Sequence, residues 1–440
     1  MLVFLLLFFS FFSLIPLTFD NDWLLWNSFY FYALQILVMS GFILHRIEYF
    51  CSLFLPSIVM FFFLGISFAL GAYLVPRGIG FLTDYYITSI TAAENYGVIV
   101  SFYMNVFNIL FFFSIRYIEM CRGIKNVVRV KNRKVSKYKI VLAYLLLLLV
   151  SKEDFFFQFG CQVGLIIYIL YSVVDSKGYT KYYIALAIIL TMLSSNYDNK
   201  REILIVLMSV VFLFSVKGRW KFVFFSRRMI GYFLILGFLL SLILAASILR
   251  GYGELEVNGV LSAIYFIPQY IKMDIFMDSV VDNFEISHTY PSSILPVEYI
   301  LDGKLDILFG LTIIKPLFLL VPRSVWEGKP DSIIYTFTEA HSPGLFTHYG
   351  VSIPISLPGE LFVNFHILAL LVFILVIFLF NKLYMLSIYQ YSGDVKKMVC
   401  MSASMLFFIL VRGSGLDLYV MTLLCAIFPI FLFNIGNNNK

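Results

Sequence analysis

Charged residues are scarce in this chain: Asp, Glu, Lys and Arg make up only 13% of its 440 residues. Soluble globular domains carry roughly a quarter. The shortage excludes an ordinary water-soluble fold, and hydrophobic residues, at 61%, fill the gap. Cysteine is equally thin. Cys51, Cys121, Cys161, Cys400 and Cys425 show no paired spacing, which argues against a disulfide framework or a zinc motif and for small buried hydrophobes. The short alternating segments of a β-barrel are missing, and the apolar runs are long and unbroken. Ala and Gly are few beside Phe and Leu. That composition favours lipid-facing helices over a tightly packed small-residue bundle. The apolar start, Met1 to Leu7, lacks a basic leader and a small-residue cleavage site, so it reads as a retained first span. No Gly-rich phosphate loop, dinucleotide fingerprint, Ser-His-Asp order or zinc-ligand spacing occurs.

What is present is a series of apolar runs. A helix needs about 20 apolar residues to cross a bilayer, fewer at the short end. The expected spans are 2–18, 27–44, 53–75, 97–115, 140–150, 155–174, 182–193, 203–216, 229–249, 359–380, 398–411 and 416–433. Basic residues set their direction. Nine fall between Arg116 and Lys139 and five between Lys217 and Arg228, so both loops belong in the cytoplasm. Lys382, Lys396 and Lys397 mark a third cytoplasmic loop. The segment 250–358 then begins and ends outside. Its apolar run 307–321, broken by Lys315-Pro316, is expected to be re-entrant, interfacial or buried against the bundle; a full crossing would invert everything downstream. The expected fold is an all-α polytopic membrane protein of about twelve transmembrane helices. It divides into membrane helices with basic loops (1–249), one large outer loop (250–358) and C-terminal membrane helices (359–440).

The informative charges are the basic ones left outside. Arg201 ends a Ser/Asn-rich outer turn, Arg250 closes a span, Arg323 follows Pro322, and Arg412 sits between two apolar runs. Snorkelling, or pairing with an acid such as Glu202 or Asp417, explains any one of them. Together they suit a phosphate-rich ligand, because guanidinium grips phosphate oxygens through a planar fork and stays charged. A pyrophosphate at the membrane surface points to a lipid-pyrophosphate substrate. Acid–base candidates are His288, His341, His348 and Glu360, with Glu339 behind them. Glu360 opens an apolar span, where a carboxylate is costly without a partner. Asn364 lies one turn on, on the same face. Asp302/Asp306 and Asp274/Asp278 read as solvated helix faces, and no metal ligand set is expected.

The stretch Pro322-Arg323-Ser324-Val325-Trp326-Glu327-Gly328-Lys329-Pro330 resembles the Pro-Arg-x-x-Trp-x-x-Lys-Pro signature of bacterial polysaccharide repeat-unit polymerases, the Wzy-type O-antigen polymerase family. Gly359-Glu360 with Asn364-Phe365 resembles that family's Gly-Glu-x-x-x-Asn-Phe element, although His366 stands where Gly often follows. Lys200-Arg201 fits the family's outer turn ending in Arg. The resemblance implies a GT-C-like membrane glycosyltransferase of the bacterial inner membrane, with the large loop and active site in the periplasm. Such enzymes move a growing glycan from undecaprenyl pyrophosphate to the non-reducing end of a new lipid-linked repeat unit, using no cofactor, metal or nucleotide sugar. Carried over, Arg201 and Arg323, then Arg250, Arg412 and Lys329, would contact pyrophosphate. Trp326 and Asn364 would contact sugar, and Glu360, His341 or His348 would act as base. The implied partners are undecaprenyl-pyrophosphate-linked glycans and the lipid bilayer, with a chain-length regulator and a flippase beside them; nucleic acid is not among them. An O-antigen ligase shares the layout and chemistry, and a polysaccharide flippase shares the number of spans, so both remain alternatives.

Overall fold

The computed structural model describes residues 88–97, 137–150, 155–174, 240–249, 259–278, 289–318, 321–385 and 415–435, with isolated positions at 37, 67–75, 99–106, 237, 257 and 402–413. The expected spans 2–18, 27–44, 182–193 and 203–216 lie outside these residues or touch them at one position. Among the described residues the regular structure is helical and no strand occurs. The chain forms two compact units. One comprises 1–50, 54–131 and 284–421, and the other 51–53, 132–283 and 422–440.

In the second unit, helices α1 (Lys137–Val150) and α2 (Phe155–Val174) form an antiparallel pair. The sequence expects α2 at the same boundaries, and α1 three residues shorter at its start. Gly160 and Gly164 on α2 make a Gly-x-x-x-Gly seam. A Cβ added at Gly160 would lie 2.5 Å from the Thr422 carbonyl oxygen, and one at Gly164 2.3 Å from that of Ala426. Only the missing side chains allow this close backbone approach. The Tyr144 hydroxyl donates to the Ala426 carbonyl beside it. The small-residue packing that overall composition argues against is therefore present locally, at two glycines. Helix α3 (Val260–Tyr270) closes a small core of Ala245, Ile248, Ala263 and Tyr270.

The first unit is built on helices α4 (Pro291–Leu301) and α8 (Leu357–Phe365), which pack along each other. Serines tie their starts together. Ser356 caps α8, its Oγ accepting from the Gly359 amide at 3.3 Å, as an N-cap serine does. The Ser356 amide donates to the Ser292 carbonyl at 3.2 Å, and Ser293 and Ser356 hydroxyls meet at 2.9 Å. Between them lie α5 (Leu311–Ile314), a 3-10 turn (Lys315–Phe318), α6 (Ile333–His341) and α7 (Leu345–Tyr349).

The expected span 359–380 is a helical run with a break in it. After α8 comes a 3-10 turn, His366–Leu368, then α9 (Ala369–Met385). His366 has φ +51°, a region costly to any residue with a Cβ. The run Leu357–Val376 is long and apolar enough to cross a membrane. The last helix, α10, covers Leu416–Ile435. The apolar run 307–321 is not one continuous helix: α5 and the 3-10 turn are four residues each.

Candidate active site

The first cluster is buried. Phe309 (φ +47°) and Gly310 (φ +86°) bend the chain into α5, and Leu308 donates its amide to the Val363 carbonyl at 3.1 Å. This sets α5 against α8. Asn364 Nδ2 donates to Thr312 Oγ1 at 2.7 Å and to the Glu360 carbonyl at 2.8 Å. Thr312 Oγ1 in turn donates to Glu360 Oε1 at 3.0 Å. The amide orientation is forced: the Glu360 carbonyl only accepts, so the amide nitrogen must face it. Glu360 is 1% exposed. The Leu416 backbone amide also lies against its carboxyl, and Asn364 Oδ1 has no hydrogen-bond partner among the described residues.

Beside this relay, Lys315 Nζ pairs with Asp417 Oδ2, both largely enclosed. Both charges lie near enough to act on the Glu360 carboxyl. Two glycines shape the approach to Asp417. At Gly413 (φ +113°) a Cβ would sit 2.7 Å from the Ile355 backbone, whose amide donates to the Gly413 carbonyl at 3.1 Å. At Gly415 (φ +81°) it would sit 3.0 Å from Asp417 Oδ1. Arg412, half-buried and engaged with its neighbours, precedes this turn.

The second cluster is an exposed loop, 321–331. The Val325 and Trp326 amides both donate to the Pro322 carbonyl, at 3.1 and 3.2 Å, and the Lys329 amide returns to the Trp326 carbonyl at 3.2 Å. Lys329 Nζ donates to the Val321 carbonyl at 2.9 Å. Lys329, expected as a phosphate contact, thus uses its ammonium to close the loop. Arg323 stands outside it, paired with exposed Asp331. Trp326 meets Phe318 edge-on at 5.1 Å.

Two of the candidate histidines, His341 and His348, lie on α6 and α7. His341 Nδ1 and the Tyr299 hydroxyl meet at 2.8 Å, and burial pushes that phenol up from its usual range. Lys304 lies over the Tyr299 ring and bridges Glu298 at 2.7 Å and Asp302 at 3.0 Å. Glu298, then Asp302, hold its ammonium up. The Tyr96 hydroxyl, then Lys304, hold the Asp302 carboxyl below its ordinary value. Asp302 thus belongs to a surface network of Tyr96, Glu298 and Lys304. Glu339 accepts from the Gly344 amide at 2.7 Å and from the Thr347 hydroxyl at 3.0 Å. The Gly344 bond is the main cause of its lowered pKa, with Thr347 and nearby His348 adding to it. His348 is exposed at the end of α7.

Of the residues singled out in the sequence, the structure joins Glu360 with Asn364, and Arg323 with Trp326 and Lys329 in one loop. Arg201, Arg250 and His288 lie outside the described residues. Thr312 goes unremarked in the sequence, where Lys315 figures only as a break in an apolar run and Asp417 only as an acid for an outer Arg; the structure pairs Lys315 and Asp417 with each other. Their signal was a lone charge in each of two apolar runs, since such charges need a partner. Among the described residues, no group of three or more His, Cys, Asp or Glu could hold a metal ion. No protein-family model matches the chain, no curated protein matches it, and no solved structure matches it.

Proposed function

We propose that this chain is a bacterial inner-membrane glycosyltransferase of about twelve spans, GT-C-like in build, that polymerises lipid-linked oligosaccharide repeat units on the periplasmic face. The observation that carries this reading is the closed loop 321–331. It presents Arg323 and Trp326 exposed in one loop, and the partner of Arg323 among the described residues is the exposed carboxylate of Asp331. An exposed ion pair is worth about 0–1 kcal/mol, so a pyrophosphate can displace Asp331 at little cost and gain a forked contact.

In the proposed reaction a hydroxyl at the non-reducing end of the acceptor unit attacks the anomeric carbon of the donor glycan. The new C–O bond forms as the bond to undecaprenyl pyrophosphate breaks. The hydroxyl proton passes to a base, and the leaving pyrophosphate keeps the bonding electrons. Arg323 neutralises the charge that develops there, the kind of fixed electrostatic help that lowers a barrier most. Arg201, Arg250 and Arg412 are the further cationic candidates. Among the bases, exposure favours His348, with His341 set by Tyr299. Glu360, enclosed with Thr312 and Asn364, is the third candidate base.

The test is a deletion strain complemented with wild type or Arg323→Ala, its surface polysaccharide run on a gel. The expected result is a ladder with wild type, and single-unit chains with Arg323→Ala at equal protein level. A normal ladder from the variant removes Arg323 from the mechanism. Loss of even the single unit in the deletion strain points to a ligase or a flippase.

A further inference from the structure

The segment 309–318 has its polarity reversed. Its polar side chains face inward: Thr312 is 3% exposed, and Lys315 is enclosed against Asp417. Its large apolar side chains face outward: Phe309 is 81% and Leu317 80% exposed, and Leu311 and Ile314 are nearly half exposed. A helix face at a water surface shows the opposite arrangement. Soluble proteins rarely leave so continuous an apolar patch bare.

Three observations say what covers this face. First, the segment is fixed beside the helical run long enough to cross a membrane. Leu308 is hydrogen-bonded to Val363, and a Cβ at Gly310 would lie 3.1 Å from the Phe365 ring. Val363 is six residues into that run, about 9 Å along it at 1.5 Å per residue. Second, an outward apolar stripe follows in the same run and continues along α9: Ile367, Leu368, Leu371, Leu375 and Leu379 are exposed. Third, the segment is rimmed by groups suited to headgroups. Trp326 packs on Phe318, and Arg323 is exposed beyond it; indole and guanidinium collect where acyl chains give way to phosphates.

We infer that residues 309–318 form a re-entrant element set into the outer leaflet, its outer face against phospholipid acyl chains, with Trp326 and Arg323 at headgroup level. The element then holds the loop 321–331 at the bilayer surface, where a lipid pyrophosphate travels. This rests on the membrane reading above but not on the glycosyl-transfer chemistry.

The experiment is nitroxide scanning of the full chain in phospholipid vesicles. Single cysteines at Phe309, Leu311, Ile314 and Leu317 are labelled in a background with the five native cysteines replaced by alanine. Leu371→Cys and Leu375→Cys serve as references. Collisions with oxygen, which partitions into lipid, are compared with collisions with a water-soluble nickel chelate. The expected result is oxygen access exceeding chelate access several-fold at all four positions, as at the α9 references. High chelate access at the four with lipid-like references overturns the inference and leaves the membrane reading standing. Low access to both reagents means that protein covers the face, and overturns it too. Chelate access at Leu371 and Leu375 as well would remove the membrane reading itself.

Discussion

Replacing Lys315 by methionine leaves the Asp417 carboxylate enclosed without the ammonium it pairs with. Methionine keeps most of the volume, so the loss is electrostatic. Breaking one side of a buried ion pair costs about 3–5 kcal/mol, because the remaining charge stays out of water uncompensated. Unfolding entropy near 2.1 cal/mol/K per residue gives roughly 0.9 kcal/mol/K for a chain of this length. The midpoint should then fall by about 3–5 °C if the chain melts as one body, and further if the first unit melts alone. Asp417→Leu in the same chain should restore most of the loss, since an apolar pair replaces a buried ion pair at little cost. The assay is thermal unfolding of the purified protein in lipid nanodiscs, followed by intrinsic fluorescence, for both single variants and the double variant. A Lys315→Met midpoint equal to wild type would refute the buried pair. So would a double variant no better than the worse single one.

Gly164→Ala puts a Cβ 2.3 Å from the Ala426 carbonyl oxygen and 2.6 Å from the Tyr144 ring. It should cost about 1–3 kcal/mol by overpacking, with Gly164→Leu abolishing folded protein on size-exclusion chromatography. His366→Gly relieves the φ of +51° and should raise stability by about 1 kcal/mol, read as a higher melting midpoint. The Glu339 carboxyl, held low chiefly by the Gly344 amide, contributes stability present above its unfolded pKa and lost as pH falls through its folded one. Hydrogen-exchange protection of the Gly344 and Thr347 amides should therefore hold at neutral pH and disappear in acid below the ordinary glutamate range, and Glu339→Gln should weaken it at neutral pH and remove the dependence on pH.

The sequence makes the helical character and several boundaries legible, because long apolar runs report helices directly. The α2 limits are the same in sequence and structure, and α10 starts at Leu416 in both. The break at His366 was not legible, since hydropathy is blind to a backbone dihedral. Its one trace was a histidine where the resembled motif often has glycine. The Gly160–Gly164 seam was hidden by composition, which averages two informative glycines over the whole chain. In the candidate site, Glu360 and Asn364 were readable as neighbours through helical spacing. Their link to Thr312 and the Lys315–Asp417 pair joins residues far apart in sequence, and no local pattern encodes such a meeting. The closure of loop 321–331 by Lys329 depends on a backbone carbonyl, which every residue supplies, so nothing in the sequence marks its acceptor.

Reconstitution tests the central claim most directly. The purified chain would be placed in vesicles with undecaprenyl-pyrophosphate-linked repeat units and no nucleotide sugar, and the products separated by size. A ladder of lipid-linked chains differing by one repeat, absent with Arg323→Ala, is the result this account predicts. Repeat units that stay single, whether merely moved between leaflets or transferred to added lipid A core, would contradict it.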